Sequence, residues 1–234
     1  MLQRVSNEHA LGRLYAADER DSRYPLRLVS PAAVAPMPYY KYWRTGTILD
    51  QDNLPHCVGY AWKQWLMTSP IRQAKRLDPA QIYGEAQRED EWPGEAYEGT
   101  SVRAGAKILQ RWGYIGSYLW ASHITEIRDW LLTMGPVVLG TNWYANMFDG
   151  CWITTPTGRD LGFWVEPFGP LVGGHAYIAI GYAQNRKAFR CVNSWGKDWG
   201  QNGRFWIAEE HLAQLLQQQG EACTALEIKL EIAK

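Results

Sequence analysis

The chain has 234 residues, enough for one large domain with a substantial core, and 13 Trp and 13 Tyr make it rich in aromatic side chains. Lys plus Arg number 24, as do Asp plus Glu, so no field of one sign would steer the chain to nucleic acid or anionic lipid. The four cysteines show no C-x-x-C spacing, which argues against both a disulfide scaffold and a cysteine metal site.

The first 48 residues are predicted to form an extended arm that wraps over the domain. Pro25, Pro31, Pro36 and Pro38 would interrupt any helix in this part of the chain. The N-terminal residues carry scattered charges and no continuous apolar run of the secretory type, and no later run has the length needed to span a bilayer. We therefore expect a cytoplasmic location and no membrane partner.

Helices are predicted in the first half of the chain. Apolar side chains recur at helical spacing from Cys57 to Met67, which predicts a helix with one buried stripe and with Cys57 in its first turn. Three further helices are predicted at 79–87, 101–112 and 123–134, the second of them capped by Thr100 or Ser101.

The second half of the chain reads as strands. Short β-branched or aromatic runs, separated by Gly, Asn and Asp, predict strands at 136–141, 174–182, 187–193, 203–208 and 224–233. A helical half followed by a strand-rich half indicates an α+β protein. The long aromatic stretch from 151 to 174 either overhangs a cleft or packs as a surface excursion.

Three separated residues form a candidate catalytic set. His175 begins one apolar strand, Asn193 ends the next, and the residues between the two strands are turn-like. In a hairpin, these side chains would lie close to opposite each other, within about a residue of register. Each has an ordinary structural reading alone, but with Cys57 they supply the nucleophile, base and orienting group of thiol catalysis.

The chemistry explains why each residue type is needed. A helix N-terminus and a nearby imidazolium both lower the pKa of a thiol such as that of Cys57. His175 would take the thiol proton and later give it to the leaving amine, while Asn193 would fix the imidazole tautomer. The backbone N–H of Cys57 and the side-chain amide of Gln51 would donate hydrogen bonds to the developing oxyanion.

Three stretches resemble the signature blocks of the papain-like cysteine peptidases and occur in that family's order: "DQDNLPHCVGYA", "GGHAYIAIGY" and "NSWGKDWGQNGRFWI". "GPVVLGTNWY" extends the resemblance, which runs from about residue 45 to the C-terminus. It implies a two-lobed papain-like α+β fold, with a helical left lobe, an antiparallel β-barrel-like right lobe and the active-site cleft between them. In one domain, residues 1–48 would form the arm, about 49–134 the helical lobe and about 135–234 the β-rich lobe.

The resemblance also assigns catalytic roles. It implies that Cys57 is the nucleophile, His175 the general base and acid, Asn193 the orienting residue and Gln51 the oxyanion-hole donor. The arm has neither the length nor the helical periodicity of the family's usual pro-segment. We therefore expect a prokaryotic or phage-type member that lacks a classical pro-segment.

Five further residues acquire expected roles in substrate binding. By resemblance, Trp195 shields the His–Asn hydrogen bond from water, and Gly99 and Thr100 lie in the loop whose backbone pairs with an extended substrate. Gly140 and Ala176 fall where the family lines its main specificity pocket. Because both are small, we expect this pocket to be roomy.

Leu54 and Tyr97 align with the two positions of the family's usual disulfide, and its loss fits a reducing compartment.

The expected function is a cysteine peptidase that acts through an acyl-enzyme thioester. A transpeptidase or amidase using the same residues, and a catalytically silent papain-fold binding protein, remain open alternatives. The expected partner is a peptide or protein substrate, and a proteinaceous inhibitor is a further partner that the resemblance allows. No cofactor or metal is expected, because the five histidines are dispersed.

Overall fold

The structure, a computed structural model, describes residues 9–26, 38–73, 77–158 and 160–227. Its helices are α1 (Cys57–Met67), α2 (Pro79–Gln87), α3 (Val102–Arg111), α4 (Ile124–Thr133), α5 (Asn146–Asp149) and α6 (Glu209–Gln217), with a 3-10 helix at Glu19–Arg23. Its strands are β1 (Tyr40–Tyr42), β2 (Ile115–Trp120), β3 (Val137–Tyr144), β4 (Cys151–Thr154), β5 (Asp160–Trp164), β6 (Leu171–Ala183), β7 (Ala188–Val192), β8 (Arg204–Ala208) and β9 (Glu221–Glu227). The α+β class predicted from the sequence is confirmed.

The four helices predicted from periodicity are confirmed as α1 to α4, and local capping explains two of their starts. Asp78 precedes α2 and accepts a hydrogen bond from the backbone N–H of Ala80, with Pro79 at the first helical position. Ser101 precedes α3 and its hydroxyl accepts from the N–H of Ala104 at 3.1 Å. Of the two caps considered for α3, Ser101 is therefore the one used.

The strands form one open sheet in the described part of the chain. Its order is β2-β9-β3-β6-β7-β8-β5-β4, and β1 pairs with β6 outside this path. All pairings are antiparallel except that of β5 with β8. The two end strands, β2 and β4, are not paired with each other, so the expectation of a barrel-like lobe is corrected to an open sheet.

Several elements were not predicted from the sequence. Strand β2 is short and mixed in polarity, and pairs with the distant β9. Part of the aromatic stretch from 151 to 174 forms the hairpin of β4 and β5, in which Phe163 is buried. Helix α6 follows β8 directly. The predicted strand at 224–233 begins earlier, at Glu221, and its last residues lie outside the described part of the chain.

The hairpin of β6 and β7 has a different register from the one predicted. Val192 pairs with Ile178, and a bulge separates Ala179 from Gly181 along β6. If the pairing of Val192 were continued, Asn193 would face Tyr177 and not His175. The prediction of near-direct opposition was therefore wrong by two residues, because the turn lies between Ala183 and Ala188, later along the chain than the midpoint of 175 and 193. The β-bulge recovers only one residue of this difference.

Helix α1 is anchored in the interior and forms a rigid support for Cys57. Trp62 and Trp65 are almost completely buried, and their indole N–H groups donate to the carbonyl oxygens of Val102 and Pro136 at 2.9 and 3.0 Å. Replacing a buried Trp by Ala typically costs about 3–5 kcal/mol of unfolding free energy.

Within the ranges that the structure describes, no helix combines the length and apolar character needed to cross a bilayer.

Candidate active site

Cys57 is the first residue of α1 and is completely buried. Its Sγ atom accepts a hydrogen bond from the backbone N–H of Ala176 at 3.4 Å, and the backbone amides of Gly12 and Val58 lie close enough to favour the thiolate. Burial raises the pKa of the Cys57 thiol to about 12, and the nearby backbone amides and the charge of Arg13 offset only part of this effect. In this conformation the thiol is protonated at neutral pH.

His175 and Asn193 are hydrogen-bonded to each other in the interior, with 2.7 Å between Nε2 and Oδ1. Oδ1 of Asn193 also accepts from the backbone N–H of Ser194 at 2.8 Å, which assigns this atom as the amide oxygen. Nε2 of His175 therefore carries a proton, and Nδ1 has no hydrogen-bond partner among the described residues. This tautomer leaves the Nδ1 lone pair free to accept a proton.

Aromatic rings surround the imidazole of His175. The Trp195 ring stacks on it with 4.7 Å between centroids, and Trp143 contacts it edge-on at 4.8 Å. Burial lowers the pKa of His175 to about 4, which outweighs the opposing effect of its bond to Asn193. The imidazole is therefore neutral at neutral pH in this conformation.

Gln51 is fully buried and its side-chain amide is held by both ends. Oε1 accepts from the Ser194 hydroxyl at 2.6 Å, and Nε2 donates to the carbonyl oxygens of Ala10 at 3.0 Å and Leu54 at 2.7 Å. The hydroxyl of Ser194 thus fixes which way the amide points. Ser194 was not identified from the sequence, although its position directly after Asn193 placed it within reach of the site.

Residues 9–15 lie across this site outside the regular strands, with Arg13 in an isolated bridge to Thr100, and we call them the covering segment. The backbone N–H groups of Gly12 and Arg13 donate to the carbonyl oxygen of Gly174 at 3.1 and 2.9 Å. On the other side, Thr100 donates to the carbonyl oxygen of Gly12, and Leu14 donates to that of Thr100, each at 2.9 Å. The covering segment is thus hydrogen-bonded to both sides of the site and excludes solvent from it.

The covering segment approaches its neighbours so closely that two positions, Gly12 and Gly99, have no room for a side chain. A Cβ atom on Gly12 would lie 2.0 Å from the carbonyl oxygen of Pro55, and one on Gly99 would lie 2.7 Å from the carbonyl oxygen of Gly12. Gly99 also has a φ of +107°, which residues with a side chain rarely adopt. The predicted extended arm therefore includes a segment that enters the cleft, a placement that no local sequence pattern indicated.

The predicted pocket residues Gly140 and Ala176 are direct neighbours across two strands. Gly140 on β3 pairs with Ala176 on β6 and with Glu221 on β9. The Arg13 side chain enters this space, since a Cβ on Gly140 would lie 2.9 Å from its Nε. The space beside Gly140 thus holds the long Arg13 side chain, which pairs there with Glu221, a residue that the sequence analysis did not identify.

The four cysteines, Cys57, Cys151, Cys191 and Cys223, are all described and all free. The positions of Leu54 and Tyr97, where a disulfide was considered, carry none. Leu54 is exposed, and the Tyr97 hydroxyl donates a hydrogen bond to Asp90. The described residues contain no group of three or more His, Cys, Asp or Glu arranged to hold a metal ion.

Comparison with known families identifies the chain. The model of the papain family of cysteine proteases matches residues 96–224, more than half of the chain. The chain belongs to the papain family. The matched range includes His175 and Asn193 and begins after Cys57, so the position of the thiol in the papain-family site depends on the geometry described above.

Among curated proteins, an uncharacterised peptidase C1-like protein of Acanthamoeba polyphaga mimivirus is 31% identical over 126 residues. The match covers 52% of this papain-family chain and 39% of the viral protein. The chain therefore spans well under half the length of this relative.

Solved structures show the same fold. Xylellain, a cysteine protease from Xylella fastidiosa, superposes with a TM-score of 0.72 at 19% identity, covering 95% of this chain and 97% of the other. The proCathepsin B S9 of Trypanosoma congolense gives 0.68 at 13% identity, covering 94% and 87%. The papain-like α+β fold expected from the three sequence blocks is confirmed.

Proposed function

We propose that this chain is a cysteine peptidase that hydrolyses peptide bonds through a Cys57 thiolate and an acyl-enzyme thioester. The observation that carries the proposal is the state of His175, whose Nε2 is fixed by Asn193 while Nδ1 has no partner among the described residues. The next backbone amide, that of Ala176, contacts the sulfur of Cys57 at 3.4 Å. A base with one committed and one free nitrogen beside a thiol is the arrangement that thiol catalysis requires.

The reaction follows from these groups. Nδ1 of His175 takes the Cys57 proton, the thiolate attacks the peptide carbonyl carbon, and Gln51 Nε2 donates to the oxygen as it becomes negative. Collapse of the tetrahedral intermediate breaks the C–N bond, and the imidazolium gives its proton to the departing amine. Water then attacks the thioester with the same base and releases the carboxylic acid and the thiol.

The conformation described here is a latent form of this enzyme. The covering segment places Gly12 against the Cys57 sulfur and so blocks the approach of a substrate carbonyl. It also keeps water from Cys57 and His175, so that both remain uncharged. We infer that the segment must leave the cleft before a substrate binds, and that hydration would then bring both pKa values back toward their ordinary ranges.

The test uses Gly12→Leu, whose side chain cannot fit against Pro55, to open the cleft. We expect this variant to hydrolyse fluorogenic peptides and to form a one-to-one adduct with an epoxide inhibitor at Cys57. Gly12→Leu combined with Cys57→Ala should do neither. Hydrolysis that survives Cys57→Ala, or an opened chain without any adduct, would remove the peptidase assignment.

The two alternatives give separate outcomes in the same assay. A transpeptidase would join the acyl group to an added amine, which the product mass would reveal. A silent binding protein would bind peptides without turnover. The presence of all four proposed catalytic side chains argues against a silent binding protein. A transpeptidase would use the same residues, and the product mass separates it from a peptidase.

A further inference from the structure

The pocket beside Gly140 contains a carboxylate that the proposed catalytic steps do not use. Glu221 lies at the start of β9, and only 11% of its side chain is exposed. Nη2 of Arg13 lies 2.5 Å from Glu221 Oε2 and 2.5 Å from the carbonyl oxygen of Gln219. The Arg13 side chain is itself 2% exposed, so this is a buried ion pair between the covering segment and the pocket.

The carbonyl of Gln219 is aimed at the pocket by an unusual backbone. Gln219 has a φ of +64°, a conformation that is costly for a residue with a side chain. The preceding residue, Gln218, is held in place because its carbonyl accepts from Asn142 and its side chain accepts from Tyr144. The pocket therefore offers two fixed acceptors, one of them charged, to whatever side chain enters it.

Among the residues that the structure describes, no second cation pairs with Glu221 and could replace Arg13 when the covering segment leaves. Arg103 also acts on Glu221, but its guanidinium is already paired with Asp21 and Glu91. A buried carboxylate that loses its only close counter-ion is strongly destabilised. The open pocket would thus favour a ligand that brings a positive charge.

We propose that Glu221 is a specificity-determining residue, and that its pocket selects a cationic side chain of a peptide substrate. Arg13 occupies in this structure the place that such a side chain takes during hydrolysis. This inference rests on the proposed peptidase function and names the class of substrate, peptides with Arg or Lys at the position that enters the pocket.

The geometry also predicts that Lys is accepted. Nε of Arg13 is buried without a hydrogen-bond partner among the described residues. Both pocket acceptors, the Gln219 carbonyl and the Glu221 carboxylate, accept hydrogen bonds from the terminal nitrogen Nη2. A lysine ammonium could satisfy the same two acceptors without burying an unpaired N–H. Neutral side chains of similar length would leave Glu221 without a counter-charge.

The first experiment measures hydrolysis by the Gly12→Leu chain with a peptide library that varies one position at a time. One position should prefer Arg and Lys over Leu and Gln by about tenfold to 100-fold, as expected for charge-assisted hydrogen bonds. Glu221→Gln, which keeps the shape of the side chain, should abolish this preference while other positions are unchanged. Glu221→Arg should reverse it toward acidic side chains.

The second experiment does not depend on turnover. Binding of the synthetic peptide of residues 9–15 is measured on the chain carrying Gly12→Leu and Cys57→Ala. The same peptide with Arg13→Gln should bind about tenfold or more weakly, and with Arg13→Lys nearly as well. Adding Glu221→Gln to the chain should make the parent and Arg13→Gln peptides equal.

The outcomes separate the two proposals. Hydrolysis without a cationic preference, or a preference that survives Glu221→Gln, would overturn the role of Glu221 and leave the peptidase assignment standing. No hydrolysis, combined with Arg-dependent peptide binding that Glu221→Gln removes, would support the pocket and reject the peptidase. Equal binding of the parent and Arg13→Gln peptides would overturn the pocket proposal in either case.

Discussion

The side-chain amide of Gln51 donates a hydrogen bond to the carbonyl oxygen of Ala10, with 3.0 Å between Nε2 and the oxygen. A carbonyl of the chain itself thus occupies the donor that we assign to the oxyanion of the reaction. The same segment places Gly12 against the nucleophile and Arg13 in the pocket. Activity and its restraint therefore depend on the same few contacts.

Opening the cleft should expose Cys57. Gly12→Leu is expected to raise the rate of Cys57 alkylation by iodoacetamide about tenfold or more, because about 1.4 kcal/mol lost from the closed state changes its population tenfold. The labelled residue is identified by peptide mass. The matched control is Gly84→Leu on α2, where a Cβ meets no atom within 4 Å, and its rate should equal that of the parent. Equal rates for the two variants would contradict closure by the segment.

Gln51 and Ser194 should differ in how much they contribute to rate. In the Gly12→Leu background, Gln51→Ala is expected to lower kcat about 100-fold to 1000-fold, the usual cost of losing one oxyanion donor. Ser194→Ala removes only the group that orients the Gln51 amide, so its loss in kcat should be smaller. Both effects should appear in kcat, with KM little changed. A larger loss for Ser194→Ala than for Gln51→Ala would show that the roles are wrongly assigned.

Stability should fall in mild acid because of His175. Its pKa is lowered from 6.5 to about 4 in the folded chain, so between these pH values the unfolded chain binds a proton that the folded chain does not. This contribution is fully present above pH 6.5 and is lost as the pH falls toward 4, by at most about 3 kcal/mol.

Urea unfolding at several pH values measures this dependence. His175→Gln should flatten the profile in that window, whereas His123→Gln, at an exposed position before α4, should keep the slope of the parent. A slope that is the same in the His175→Gln chain would mean that other groups cause the acid sensitivity.

Arg103 should be important for stability, since it joins α3 to the arm. Its side chain is 5% exposed, and its guanidinium pairs with Asp21 and Glu91. Arg103→Gln should reduce the free energy of unfolding by about 1–3 kcal/mol, because it removes the charged hydrogen bonds between a buried side chain and the partly exposed carboxylates of Asp21 and Glu91. Arg111→Gln on the same helix removes exposed pairs with Glu85 and Glu89 and should cost less than about 1 kcal/mol. Similar costs in urea unfolding would show that burial does not distinguish the two pairs.

Local sequence information determined helices α1 to α4 because their causes lie within a few residues. The apolar stripe of α1, the Asp78 cap of α2 and the Ser101 cap of α3 are all short-range signals. Helix α6 follows β8 without a capping side chain and was not predicted. Strand β2 was missed because its identity depends on pairing with β9, more than 100 residues later.

The residue types of Gln51, Cys57, His175 and Asn193 and their order along the chain were enough to predict a thiol site. The sequence could not determine how the last two meet, because the hairpin register is set by the position of the turn between Ala183 and Ala188 and by the bulge in β6, and counting residues reveals neither. Nor could it reveal that Arg13 reaches Glu221, 208 residues away. Only the tertiary structure decides such contacts, since the hydrogen bonds and charges that hold residues 9–15 in the cleft belong to partners far along the chain.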